Sequence, residues 1–382
     1  MCFLLKRQIY IKFGDFSNSL RLYCKICFYL LFILSSQGIY DAFLEVIMIK
    51  HSTDYSLLPH NTFGIDVKAA HFVEFSSVED IKAIAGRLDS VRHLVIGGGS
   101  NLLFMGDFDG VILHSAINGV EVVAEDDDTL LVRAGSGINW DEFVAYTVER
   151  GWQGLENLSA IPGEVGASAV QNVGAYGVEA GDLIERVECI SLSDGSEKVF
   201  TKEDCRFAYR HSVFKAEEKG KYVVAHVVFR LNKVGNYVLT YGNLKEQCNA
   251  LGGVNAANIR KAVCETRAAK LPDPAEIGSA GSFFMNPVVE ASVAEELKSR
   301  FPAMPTYAAP GGVKLSAGWL IDQCGWKERS SATVGVYRNQ ALVVVNLGDA
   351  TGADVLAFAA QVQASVKEKF GVDIHPEVNV ID

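Results

Sequence analysis

The chain has 382 residues, 21% of them charged and 49% hydrophobic, which is the composition of folded globular domains and enough length for two or three cores. Its 35 basic residues stand against 46 acidic ones, a net charge of −11, which opposes sequence-independent attachment to nucleic acid or to an anionic membrane surface. Among its eight cysteines, Cys24 and Cys27 form a C-x-x-C with no second pair, and the five from Cys189 to Cys324 are scattered; no H-E-x-x-H occurs, so reduced thiols and no metal are expected.

Residues 1–47 do not match the rest. Lys25 precedes nine apolar residues, Ile26 to Leu34, too few for a bilayer span of about 20. A basic flank and a short apolar run also suit a signal peptide, but Ser35-Ser36-Gln37-Gly38 offers no clear cleavage site. We read the segment as an extension upstream of a start at Met48.

From Pro59, a polar turn through Asn61-Thr62-Phe63-Gly64 leads into an extended segment. A short amphipathic helix is expected over 77–88, then a strand over 91–96 that runs into Gly97-Gly98-Gly99-Ser100-Asn101. Glycines let backbone N–H groups approach an anion with no Cβ in the way, and Ser100 and Asn101 add side-chain donors. That suits the pyrophosphate of a nucleotide cofactor; an ordinary tight turn is the other reading. It is not the dinucleotide fingerprint of a doubly wound sheet, because Leu102 stands where a third glycine belongs and 104–110 reads as a turn.

Strands are expected over 111–113, 120–124 and 130–134, then a helix from Asn139, capped with the help of Glu142, to Arg150. The first region therefore reads as α+β without strict β-α-β alternation. Residues 161–177 are rich in glycine, alanine and serine and almost uncharged. Such a backbone packs closely against something flat, either a fused aromatic ring system or a neighbouring sheet. Ser168 lacks the second glycine of a nucleophile elbow.

Strands over 186–192, 198–200 and 222–231 flank Tyr209-Arg210-His211-Ser212-Val213-Phe214-Lys215, whose two cations are of the kind usually solvated. The texture changes near Tyr241, and a helix over 256–270 is stopped by Leu271-Pro272-Asp273-Pro274. A second small-residue loop, 277–287, sets Ser282 beside two phenylalanines. Helices over 292–300 and 315–324, a strand over 341–346, a helix over 353–370 closed by Gly371 and a last strand over 372–380 carrying Glu377 complete the chain. Taken alone, Ser282 is a loop hydroxyl bonded to its own backbone and Glu377 a solvated residue.

Taken together and in order, these segments resemble the family of UDP-N-acetylenolpyruvoylglucosamine reductases. The matching pieces are Asn61-Thr62-Phe63-Gly64, Gly97-Gly98-Gly99-Ser100-Asn101, Ile161-Pro162-Gly163, Gln171-Asn172-Val173-Gly174-Ala175-Tyr176-Gly177, Tyr209-Arg210, Leu271-Pro272-Asp273-Pro274, Gly281-Ser282-Phe283-Phe284-Met285-Asn286-Pro287 and Pro376-Glu377-Val378. The resemblance runs from about residue 57 to the C-terminus. Family members begin shortly before the Asn-Thr-Phe-Gly motif, which is the reason for preferring Met48.

The resemblance implies an α+β fold: a two-lobed FAD-binding module of the vanillyl-alcohol oxidase (PCMH) type followed by an α+β substrate-binding domain. The lobes would be 48–120 and 121–240, the substrate domain 241–360, and 361–382 the end of the C-terminal helix with the strand bearing Glu377. It also implies NADPH-dependent reduction of UDP-N-acetylglucosamine enolpyruvate to UDP-N-acetylmuramate through non-covalent FAD. The work would be done in the cytoplasm for peptidoglycan synthesis, by a monomer with no nucleic-acid, membrane or metal partner. Arg210 would stabilise the developing enolate, Ser282 would donate the proton and Glu377 would hold and polarise the intermediate.

Carried over residue by residue, the cofactor contacts would be Asn61, Thr62, Phe63, Gly64, Gly97, Gly98, Gly99, Ser100, Asn101, Ile161, Pro162, Gly163, Gly166, Ala167, Gly174, Ala175, Tyr176 and Gly177. The substrate contacts would be Lys270, Asn286 and Tyr241, the last matching a longer subtype in which a tyrosine loop closes over the UDP-sugar. Met285 departs from the lysine that precedes Asn-Pro in related sequences. Two rival readings are a flavin oxidase on the same module, which needs no serine acid, and a non-catalytic nucleotide-binding protein that keeps only the glycine loop.

Overall fold

The computed structural model describes residues 49–88, 91–235 and 237–382. The expectations for residues 1–47, their apolar run and the Cys24/Cys27 pair, and for a start at Met48, lie outside the described residues. Ser52–Asp382 forms one compact unit.

The first lobe is built from β1 (Lys50–Ser56), β2 (Lys68–Phe75), helix α1 (Val78–Ile84), β3 (His93–Ile96), β4 (Leu102–Phe104) and β5 (Phe108–Ser115), with sheet order β1-β2-β5-β3. Ser77 and Asp80 start α1 with a capping box, the Asp80 N–H donating to Ser77 Oγ at 3.1 Å and the Ser77 N–H to Asp80 Oδ2 at 3.0 Å. Both β2 and β3 pair in parallel with β5, so β2-α1-β3 is a crossover unit. The sequence pattern hides this, because strands buried on both faces read as apolar runs rather than alternations.

The second lobe contains β6 (Val120–Glu125), β7 (Thr129–Gly135), α2 (Trp140–Glu149), α3 (Val165–Gln171), the short hairpin β8 (Gly174–Ala175) and β9 (Val178–Glu179), α4 (Ala180–Leu183), β10 (Ile184–Ser191), β11 (Glu197–Thr201), α5 (Lys202–Cys205) and β12 (Tyr222–Asn232). Its antiparallel sheet runs β11-β10-β12-β7-β6. Trp140, Phe143 and Phe229 fill its core, and the buried Trp140 indole N–H donates to Leu158 O at 2.9 Å. Helix α3 lies inside the small-residue stretch read as a loop. Burial of Val165, Gly166 and Ala169 overrides the weak helix propensity there, and Asn172 ends the helix in the left-handed region at φ 44°.

Helices α6 (Leu244–Ala250) and α7 (Ala256–Lys270) lean on this second lobe. Arg260 forms a bidentate pair with Asp141 at 2.5 and 2.9 Å, and Arg267 Nε donates to Ala160 O at 3.1 Å. The remaining chain adds β13 (Gly278–Ser282), β14 (Val288–Val289), α8 (Ala291–Arg300), β15 (Thr306–Ala309), β16 (Gly312–Leu315), α9 (Ala317–Gln323), β17 (Val334–Val336), β18 (Val343–Asn346), α10 (Gly352–Phe370) and β19 (Asn379–Ile381). Its two sheets run β13-β18-β17 and β14-β16-β15.

The expected strand over 372–380 shrinks to β19. Pro376 makes only an isolated bridge to Phe284, since proline has no N–H to sustain a ladder. Strand β19 returns to the first lobe and pairs in parallel with β4, Asn379 opposite Leu102 and Ile381 opposite Phe104. The first lobe and the C-terminal part accordingly share one core, with Phe63, Phe104, Phe283, Phe284, Val344 and Phe358 in it. Among the described residues no helix is long and apolar enough to cross a membrane.

Candidate active site

The glycine loop, α3, the Tyr209–Arg210 turn, the end of β13 and the segment before β19 enclose a cleft of about 1600 Å³. Pockets for single small ligands span roughly 300–1,000 Å³, so this one has room for a dinucleotide and a second ligand together.

At one end, Gly97 to Asn101 turn the chain from β3 into β4. Gly99 sits at φ 67°, and a Cβ there would lie 1.7 Å from His60 O. No side chain fits between those two backbones. Gly98 faces Gly163 across a narrow gap, where a Cβ would come 3.6 Å from Gly163 Cα, and Ser100 Oγ donates to Pro162 O at 3.1 Å. A side pocket of about 260 Å³ beside the loop is lined by Thr62, Gly98, Ser100, Gly163 and Glu164. Thr62 Oγ1 is buried there without a hydrogen-bond partner among the described residues. An orphaned hydroxyl and a bare glycine cradle are what a cofactor's phosphates and sugar would satisfy, so the residues present fit FAD. Replacing Gly99 with alanine is expected to cost at least about 2 kcal/mol, from left-handed backbone strain and the clash with His60. It should also release the flavin, read as a lower melting temperature and a colourless purified protein.

The expected cofactor residues divide in two. Gly97 to Asn101, Ile161, Pro162, Gly163, Gly166, Ala167 and Gly174 to Gly177 all line the cleft. Asn61, Phe63 and Gly64 lie outside that lining. Asn61 and Phe63 are buried in the turn, where Asn61 Nδ2 donates to Ile65 O at 2.7 Å and Asn61 Oδ1 accepts the Phe63 N–H at 3.1 Å. The turn is clamped between the glycine loop and the C-terminal part. The Thr62 N–H donates to Gly99 O at 3.4 Å, the Ser279 N–H to Thr62 O at 2.8 Å and Asn346 Nδ2 to Phe63 O at 3.0 Å. These bonds brace the glycine loop.

At the centre, Arg210 stands at the tip of a tight turn closed by paired backbone bonds between Ala208 and His211 at 3.1 and 2.9 Å. Its φ is 54°, an unusual value for a side chain of this size. The fully buried Asn172 supports the turn by donating to Ala208 O at 2.8 Å and accepting the Gly181 N–H at 2.8 Å. Arg210 Nε donates to Glu377 Oε1 at 2.5 Å and Nη2 to Gly174 O at 3.2 Å, so the guanidinium is fixed from both sides. Glu377 is held by its backbone: its N–H donates to Phe283 O at 2.7 Å, and its carbonyl accepts from Asn101 Nδ2 at 3.3 Å. Ser282, one residue before Phe283, lines the same cleft from β13, with Gly281 at φ 68° turning the chain into it. The three expected catalytic residues therefore converge from three separate segments.

The expected substrate residues Tyr241, Lys270 and Asn286 also line the cleft. Tyr241 is half exposed and meets Tyr176 edge-on at 5.5 Å between ring centroids. Asn286 Oδ1 accepts the Ala317 N–H at 2.9 Å, which caps its position. Met285 stays out of the cleft lining.

Sequence reasoning missed several lining residues. Lys215, read as solvated, is half-buried, and its ammonium donates to Gln171 Oε1 at 2.9 Å. Burial pushes its pKa below the ordinary lysine value against the pull of Glu377. Arg267 is also half-buried, and burial lowers its pKa too, although a guanidinium stays charged. It stands three residues before Lys270 on α7 and shares its face, a spacing that could have revealed it. Burial raises the Tyr209 and Tyr176 phenols, which keeps both as neutral donors at the cleft wall. Among the described residues no group of three metal-ligating side chains comes together.

Residues 69–201 match the profile of an FAD binding domain, and residues 273–381 that of the C-terminal domain of UDP-N-acetylenolpyruvoylglucosamine reductase. The reductase of that name from Bacteroides fragilis is 53% identical over 86% of this chain and 99% of its own length, and that from Porphyromonas gingivalis is 46% identical over 86% and 98%. In fold, the Thermus caldophilus reductase superposes with a TM-score of 0.62 at 23% identity over 87% of this chain and 99% of its own. A 6-hydroxy-D-nicotine oxidase from Arthrobacter nicotinovorans gives 0.50 at 12% identity over 86% and 87%, a likeness of fold alone. On identity and coverage together, the chain belongs to the UDP-N-acetylenolpyruvoylglucosamine reductase family.

Proposed function

We propose that this protein reduces UDP-N-acetylglucosamine enolpyruvate to UDP-N-acetylmuramate with FAD as its non-covalent cofactor and NADPH as donor, in the cytoplasm and as a monomer. The observation that carries the site assignment is the Arg210–Glu377 pair, at 2.5 Å, lining one cleft with Ser282 and the glycine loop. FAD, when bound, supplies the two-electron chemistry by which the hydride equivalent of NADPH reaches C3 of the enolpyruvyl group.

The chain's own residues do the rest. Hydride arrival at C3 moves the π electrons of the C2–C3 bond towards the carboxylate, and the Arg210 guanidinium neutralises that charge as it develops. Glu377 and Gly174 O keep the guanidinium from turning away. The Ser282 hydroxyl then protonates C2 and recovers its own proton from solvent, so that one hydride and one proton are added across the double bond. A serine is a weak acid in water, but an enolate is a strong base, and a partly buried hydroxyl in the cleft suffices. Lys270 and Asn286 are assigned to the phosphates or the carboxylate of the substrate, and Tyr241 to a loop that closes over the UDP-sugar. The division of the chain into lobes 48–120 and 121–240, a substrate domain 241–360 and a C-terminal piece 361–382 belongs to the same proposal.

The test is a visible spectrum of the purified protein under argon. Flavin absorbance should bleach on adding NADPH and return on adding the enolpyruvyl sugar nucleotide. Return only on admitting oxygen would replace this reading with that of an oxidase.

A further inference from the structure

The first lobe carries a charged cluster that the reaction does not use. Glu74 on β2, His114 on β5 and Glu164 just before α3 lie in a row. His114 Nε2 is 2.9 Å from Glu164 Oε1, and His114 Nδ1 is 3.5 Å from Glu74 Oε2. The side chains of His114 and Glu164 are only 11% and 13% exposed. The imidazole also faces the His60 ring at 4.5 Å between centroids and the Phe72 ring at 5.8 Å, with Ile96 opposite it on β3. The titratable groups facing it from these elements are thus Glu74, Glu164 and His60, with Tyr55 one step further, its hydroxyl 3.4 Å from His60 Nε2.

Glu164 reaches the other way as well. A Cβ built on Gly97 would lie 3.2 Å from Glu164 Oε2, and one on Gly98 3.8 Å from Glu164 Oε1. The carboxylate thus sits directly behind the loop and lines both the cleft and its side pocket. An anion there repels a pyrophosphate bound by the loop, unless something cancels it. With His114 protonated, the three groups carry a single net negative charge; with His114 neutral, they carry two.

We infer that His114 is a positioning residue for the cofactor: its imidazolium holds Glu164 and cancels that charge behind the glycine loop, so the grip on FAD follows the protonation of His114. The inference rests on the reading that the loop receives the pyrophosphate. Burial opposes charging the imidazole, but the hydrogen bond to Glu164 and the charges of Glu164 and Glu74 outweigh it and hold the pKa above the ordinary histidine value. The sign is therefore fixed. Binding is tight while His114 is protonated and loosens as pH rises through its raised pKa, and FAD binding itself takes up protons.

Dilution of the holoprotein at a series of pH values, with released flavin read by its fluorescence, measures this without turnover. The dissociation constant of the wild-type protein should rise about tenfold between roughly pH 6 and pH 9, the effect of one partly screened charge at this range. His114→Gln should bind weakly at every pH, and Glu164→Gln tightly at every pH. A wild-type constant that does not move, or a Glu164→Gln protein that keeps the wild-type slope, overturns the inference; if His114→Gln fails to fold, Glu164→Gln decides alone. A Ser100→Ala protein with unchanged FAD affinity would instead remove the reading of the loop on which the inference stands.

Discussion

Replacing Ser282 with alanine should leave the reduction of bound flavin by NADPH at the wild-type rate and slow its re-oxidation by the enolpyruvyl substrate by about 10²- to 10⁴-fold, the range over which a positioned general acid acts. The two halves of the reaction separate because only the second needs a proton at C2. Ser282 closes β13 after Gly281, and the next residue, Phe283, is fully buried, so losing one oxygen removes the acid without opening the wall. Stopped-flow absorbance of the pre-reduced enzyme reads the step directly. Normal re-oxidation would sink the assignment of Ser282 as donor and favour the oxidase reading, in which no such acid is needed.

Arg210→Met should fail in two ways at once. Re-oxidation should slow by at least about 10²-fold, as when a donor aimed at developing charge is removed. Stability should fall by about 3–5 kcal/mol, because Glu377 is left as an uncompensated, mostly buried charge. The double variant Arg210→Met with Glu377→Gln distinguishes the two effects. It should recover most of the lost stability in a thermal melt while its rate stays low. If rate and stability recovered together, Arg210 would be a structural partner of Glu377 and nothing more.

Much of this site could be read from residues alone, and the failures have physical causes. The glycine loop announced itself because a bare backbone between strands has few uses. Helix α2 was legible because Asn139 and Glu142 advertise its start. Helix α3 was not, since its residues fold as a helix only when Gly166 can press against Ser136, a tertiary fact that local propensity does not encode. Ser282 and Glu377 carry no local signal; only the family resemblance singled them out. The turn at Asn61–Gly64 is tied to Gly99, Ser279 and Asn346, segments remote in sequence, so its bracing of the loop shows only in the fold. Lys215 and Arg267 were passed over because the burial that makes them notable depends on segments remote in sequence.

The parallel pairing of β19 with β4 has a consequence for how the enzyme is made. Glu377 lies two residues before Asn379, the start of β19, so the carboxylate that fixes Arg210 is synthesised long after the glycine loop and β4. A nascent chain can fold its second lobe early, since domains form from the N-terminal side during synthesis. Its first lobe must wait for a strand that has not yet been translated. Chains released early by premature termination would keep the glycine loop yet lack the ion pair, and quality control would meet them with an unpaired strand edge at β4.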